Sequence, residues 1–298
     1  MRRTETHPLN AIVLPCTLLL ALAAMTAAGA QAQPDVEDLL VRVGERVAEF
    51  YTRAKNVICI ERSTVQGIDF SNSLVGFART VESELRIEDS GEPPGEAAVV
   101  RRIRKVNGRP PRERDKKDRA GCTDPNPLSS EPLTFLLPAR RSEYEFKTVG
   151  MAKDRSRTVV MIDFASVNRR SNPELMEAAS GHDDCFDWSG HIASRGRIWV
   201  DAESHDVVRV EQGLRGPVDV KVPALIQRRH RLDNWVVIVR EDVTMRYKTV
   251  VFRDPDEMVL LPQSIDSLTV VRGGLQSTRR NQTFSDYRRF VTGGRVLD

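Results

Sequence analysis

Gly196-Arg197-Ile198-Trp199-Val200-Asp201, answered across Ala202-Glu203-Ser204-His205 by Val207-Val208-Arg209-Val210-Glu211, decides the fold. Successive side chains of a strand point to opposite faces, so Ile198 and Val200 share one face of the first run and Val208 and Val210 one face of the second. The pattern predicts two antiparallel strands around a four-residue turn. It reports a scaffold and nothing poised for chemistry.

The same periodicity extends both ways along the chain. Strands are expected at Val57 to Gln66, Leu74 to Ile87, Ala98 to Val106, Tyr144 to Val149 and Arg157 to Phe164. Downstream they are expected at Trp235 to Val251, Met258 to Val271 and Thr278 to Phe290, with Gly273-Gly274 turning the last pair. Between Asp35 and Ala54, by contrast, Val36, Leu39, Leu40, Val43, Val47, Phe50 and Tyr51 recur at helical spacing. Asp35 is a suitable N-cap, and Glu37, Asp38 and Arg53 match the helix dipole. A second short helix is expected from Ser130 to Leu137, ending before Pro138. The fold class is therefore mainly β with α (α+β): a single curved antiparallel sheet with the N-terminal amphipathic helix in its concave face. Polar loops are expected near 107–127 and 167–193.

Residues 1–32 read as a signal peptide. Arg2 and Arg3 precede an apolar run from Ala11 to Ala28, and Ala30-Gln31-Ala32 fits a small-x-small cleavage site. An uncleaved anchor is the alternative, since the run approaches the roughly 17–25 residues that span a bilayer. Pro15 and the Ala/Gly-rich end favour cleavage, and the apolar run following Cys16 excludes a lipoprotein site. Residues 33–298 then form a single domain, periplasmic or secreted, with no further transmembrane span. The net charge of +3 gives no general reason to bind nucleic acid, and export makes nucleic acid a poor partner. Three of the four cysteines lie beyond the signal. Cys59 sits in the strand-like Val57-Ile58-Cys59-Ile60, while Cys122 and Cys185 lie in turn-rich segments, so a Cys122–Cys185 disulfide and a buried Cys59 thiol are expected.

Candidate chemistry is sparse. His182, Cys185 and His191 are the best metal-ligand set, with Asp183 or Asp184 an added oxygen donor, but no second ligand pair accompanies them. A polar loop tied by a disulfide is the favoured reading of the segment, and no metal is expected. No nucleophile elbow and no His-Glu-x-x-His is present, so no cofactor and no enzymatic activity are expected. From Arg101 to Arg119 the chain carries ten Lys/Arg against three Asp/Glu. Arg101, Arg102, Arg104, Lys105, Arg112, Arg114, Lys116 and Lys117 form a basic segment suited to an anionic membrane surface, or else a solvated loop.

The N-terminal helix, the hairpin, Leu261-Pro262 and the closing Thr283-Phe284-Ser285-Asp286-Tyr287-Arg288-Arg289-Phe290 together resemble the LolA/LolB/RseB superfamily of periplasmic lipoprotein carriers and envelope-stress regulators. Leu133-Thr134-Phe135-Leu136-Leu137-Pro138 also resembles secreted proteins of soil bacteria. The resemblance implies an incomplete β-barrel around a helical plug, and a non-enzymatic protein binding a lipid or acylated protein in the concave face. A protein-interaction or stress-sensing module with a filled core is the alternative, and a metal-dependent hydrolase a weaker one. The carriers are shorter, and no cargo-contacting residue of theirs maps onto this chain.

Overall fold

The computed structural model describes residues 35–54, 56–69, 71–89, 97–112, 131–177, 186–253 and 256–289. Helix α1 (Val36–Ala54) opens the fold, its Glu37 amide donating 3.0 Å to the Asp35 carboxylate at the N-cap. Three long strands follow: β1 (Val57–Ile68), β2 (Leu74–Asp89) and β3 (Ala97–Val106). A 3-10 segment (Glu131–Leu136) leads into α2 (Pro138–Arg141), then β4 (Tyr144–Asp154) and β5 (Arg157–Ser166). The expected short helix is thus a 3-10 segment that ends before Pro138, and Pro138 itself opens the next helical turn, because a missing N–H costs nothing at the first position.

The segment expected to be a polar loop at 167–193 contains two short strands, β6 (Glu174–Glu177) and β7 (Phe186–Ser189). After them come β8 (Ser194–Asp201), β9 (Val207–Leu214), β10 (Val218–Lys221), α3 (Ala224–His230), β11 (Trp235–Arg253), β12 (Asp256–Arg272) and β13 (Thr278–Arg289). The main path runs β3-β2-β1-β13-β12-β11-β9-β8-β5-β4 and is antiparallel throughout. Among the described residues no pairing joins β3 to β4, so the sheet is not closed into a barrel.

The sheet must curve. Leu85 of β2 and Ile162 of β5 share one buried cluster with α1, although six strands lie between them in the sheet order. From the helix Leu39, Leu40, Val43, Val47, Phe50 and Ala54 are buried in that cluster. Each of the larger ones contributes about 1.5–3 kcal/mol of transfer free energy. Phe135 closes the same end, its ring 4.4 Å from Phe164 and 5.3 Å from Tyr144.

The deciding hairpin forms as β8 and β9, with one difference. A register shift after Trp199 pairs Val200 with Val207, so Val207 joins Val210 in the helix-side cluster in place of Val208. Gly196 is required there, because a Cβ would collide with the Glu211 carbonyl and the Phe164 ring. The turn is tied by the Asp201 carboxylate, which accepts the Glu203 and Ser204 amides at 2.9 and 3.0 Å.

Strand β11 is shared. Its start, Trp235 to Ile238, pairs with β10, and its middle, Asp242 to Arg246, pairs with β9. β10 meets β6 in parallel at Lys221 and Glu174, and β6 pairs with β7. These strands and α3 build a lobe with its own core of Leu175, Phe186, Val220, Ile226, Val236 and Ile238.

Candidate functional site: an apolar cleft beside a buried polar belt

The inward face of β1 passes through three environments. Val57 and Cys59 belong to the helix-side cluster, Glu61 and Ser63 are buried polar residues, and Val65 and Gly67 line an open cleft. The alternation of an amphipathic strand thus continues while the chemistry it presents changes.

Glu61 is the centre of the polar belt. Its fully enclosed carboxylate accepts Arg101 Nε at 2.7 Å and Nη2 at 3.3 Å, and Gln282 Nε2 at 3.0 Å. Ser63, Ser83 and Arg280 are buried alongside it in the inner layer. A buried carboxylate is tolerated only when paired and hydrogen-bonded. Glu61, Arg101 and Gln282 come from β1, β3 and β13, so the belt also fixes the register of the strands that form one wall.

On the helix side of the belt the interior is filled. Cys59 is a free, buried thiol there, as expected, and desolvation pushes its pKa from 9.0 up to about 12. Burial likewise raises the phenol of Tyr287, which donates 2.6 Å to the Pro262 carbonyl. A smaller hollow of about 530 Å³ at this end is rimmed by ion pairs, including Arg46 with Asp206 at 3.0 Å.

On the other side lies a cleft of about 640 Å³. One wall is the end of the main sheet, with Val65, Val75, Val81 and Val271; the facing wall is the lobe, with Leu175, Phe186, Trp188, Val220 and Ile238. The polar residues of its lining include Arg79, Arg280, Thr269 and His230. His230 packs edge-on to Phe186 at 4.9 Å and meets the Glu177 carboxylate at 3.1 Å. Hydrogen bonding from His230 and Arg229 holds Glu177 below the usual carboxylate range.

The expected site residues scatter. Arg101 turns inward onto Glu61, while Arg102 and Arg104 are exposed. Lys105 pairs with Glu82 at 2.9 Å, Arg104 lies 3.7 Å from Glu84, and Arg112 is exposed at the end of the described stretch. His191 Nε2 is 3.0 Å from the Asn168 carbonyl oxygen. Arg114, Lys116, Lys117, Cys122, His182 and Cys185 lie outside the described residues. Sequence reasoning missed Glu61, although a carboxylate at an inward position between Cys59 and Ser63 was its signal. It also missed Phe186 and Trp188, because strands of four residues carry too little periodicity to read.

No protein-family model matches the chain, and no curated protein does. The chain is similar to several solved structures at low identity. A domain from Vibrio parahaemolyticus named for outer membrane lipoprotein sorting is 11% identical, with 84% of this chain and 93% of that chain covered at a TM-score of 0.32. A LolA superfamily protein from Nitrosomonas europaea is 10% identical, covering 87% and 97% at 0.31. A DUF1329 family protein from Desulfovibrio piger is 9% identical, covering 84% and 94% at 0.34. The open antiparallel sheet curved around an N-terminal helix is the fold class that the hairpin, the helix and the closing strand predict.

Proposed function

We propose that this is a non-enzymatic protein of the cell envelope, exported by residues 1–32, whose domain at 33–298 holds the acyl chain of a lipid or acylated protein. The observation that carries the reading is the cleft. Its volume falls within the roughly 300–1,000 Å³ of small-molecule sites, and its walls are mostly aliphatic and aromatic with a few polar groups. Cys59, buried and held neutral by desolvation, is a poor nucleophile.

The test is native mass spectrometry of protein purified from the periplasm, with uptake of a fluorescent fatty-acid probe. A bound lipid mass and saturable uptake are expected, and Val65→Trp, which fills the cleft, should abolish uptake. A ligand-free mass with no uptake defeats the reading. The filled interior beside α1 favours a second one, a protein-interaction module, in which crosslinking captures a protein and no lipid. The proposal includes a Cys122–Cys185 disulfide, which non-reducing peptide mapping would refute by finding both cysteines alkylatable.

A further inference from the structure

We propose that the start of β2 is a docking arm that seats the protein on an anionic lipid surface, with Leu74 and Phe77 entering the boundary between headgroups and acyl chains. Phe77 is 101% exposed, Leu74 54% and Val75 37%. Single exposed apolar residues are ordinary, but three within four positions of a strand, one of them a wholly exposed phenylalanine, form a patch. The patch is also placed. Val75 and Phe77 line the cleft, so the arm overhangs its mouth.

The local backbone presents these side chains rigidly. Asp69 Oδ1 accepts the amides of Ser71 and Ser73, both at 2.9 Å, which ties the β1–β2 turn. Between the pairs Val65–Arg79 and Gly67–Val75 the register shifts, and Gly76 adopts a φ of +68° in open space. This bulge lifts Phe77 away from the strand. It also interrupts the row of backbone groups that an added peptide strand would need, which favours a lipid surface over a peptide partner.

Charge at the same end complements an anionic surface. Half-buried Arg79 is among the lining residues, and no Asp or Glu is among the described ones. Exposed Arg279 is paired in register with Gln66, beside Gly67, and exposed Arg272 adjoins the turn whose Gly274 lines the cleft. Apolar residues ringed by arginines are the composition that binds the interface of anionic bilayers.

Flotation with vesicles tests this, using phosphatidylcholine alone and an equal mixture of phosphatidylcholine and phosphatidylglycerol. The protein should float with the mixed vesicles, less with phosphatidylcholine, and less as salt rises. Leu74→Ser/Phe77→Ser should weaken flotation on the order of tenfold or more, whereas Arg102→Ser/Arg104→Ser/Lys105→Ser on β3 should leave it unchanged. Val65→Trp should still float, which separates docking from acyl-chain binding. The added tryptophan of Phe77→Trp should be quenched by brominated lipid. No flotation, equal flotation with both vesicles, loss that follows the β3 variant, or an unquenched tryptophan at position 77 would each overturn the proposal.

Discussion

The two halves of the concave face are built from the same strands yet end differently. Beside α1 the inward residues of β1, β5, β8 and β12 meet a helix whose apolar face fills the space. Beside the lobe the continuation of β1, β2, β12 and β13 meets short strands, the end of α3 and the start of β11, and a cleft remains. The difference teaches that a curved sheet supplies concavity and its partner decides how much is left over. An amphipathic helix of 19 residues fills its half apart from the ion-pair-rimmed hollow of about 530 Å³, and three four-residue strands leave an apolar cleft in theirs.

Truncation gives the largest effect and separates the halves. Phe135→Ala, which deletes a buried ring from the aromatic cluster, should cost about 3–5 kcal/mol in a denaturant titration. Leu275→Ala at the cleft, where the side chain is half-exposed and faces a void, should cost about 1 kcal/mol or less. Equal costs would break the contrast.

The boundary between the halves comes next. Glu61→Ala leaves Arg101 and Gln282 facing each other without their acceptor and should cost about 3 kcal/mol. Glu61→Gln keeps one acceptor oxygen and should lose less. A belt that merely decorates the wall would show no ranking between the two.

Enlargement should keep the same ranking of the halves. Val65→Trp puts bulk into existing space and should change stability by less than about 1 kcal/mol, whereas Ile162→Trp forces the packed side apart by about 1–3 kcal/mol. Thermal melts of the pair decide it.

The last test is a pH window. Cys59 is protonated in the fold up to about 12 but titrates near 9.0 when exposed. Above the lower value the unfolded chain has released a proton that the native one keeps, so stability falls as pH rises through that interval. Cys59→Ala should flatten this alkaline slope, measured as denaturation midpoints across the window, and native Cys59 should resist alkylation at its start.

The long strands and α1 were legible because each spans several periods of one pattern. Trp235 to Val251 and Met258 to Val271 stand within two residues of the observed limits. The lobe was not, since Glu174–Glu177 and Val218–Lys221 are four residues each and owe their strand state to pairing across the chain. The cleft escaped for the same reason: Val65, Val75, Phe186, Val220 and Val271 become neighbours only after the sheet has curved. Arg101 looked like one more member of a basic run, and only its strand position sends it inward.

Strand β11 belongs to both halves, and this has a kinetic consequence. The lobe is anchored to the main sheet by the four register pairs between β10 and β11, so it can open as one cooperative unit while the helix-side interior stays intact. Amide exchange should therefore proceed in two steps, early from Val218 to Lys221 of β10 and late from Asp242 onward in β11. A chain of this design can open its cleft on the timescale of a local fluctuation, without approaching global unfolding.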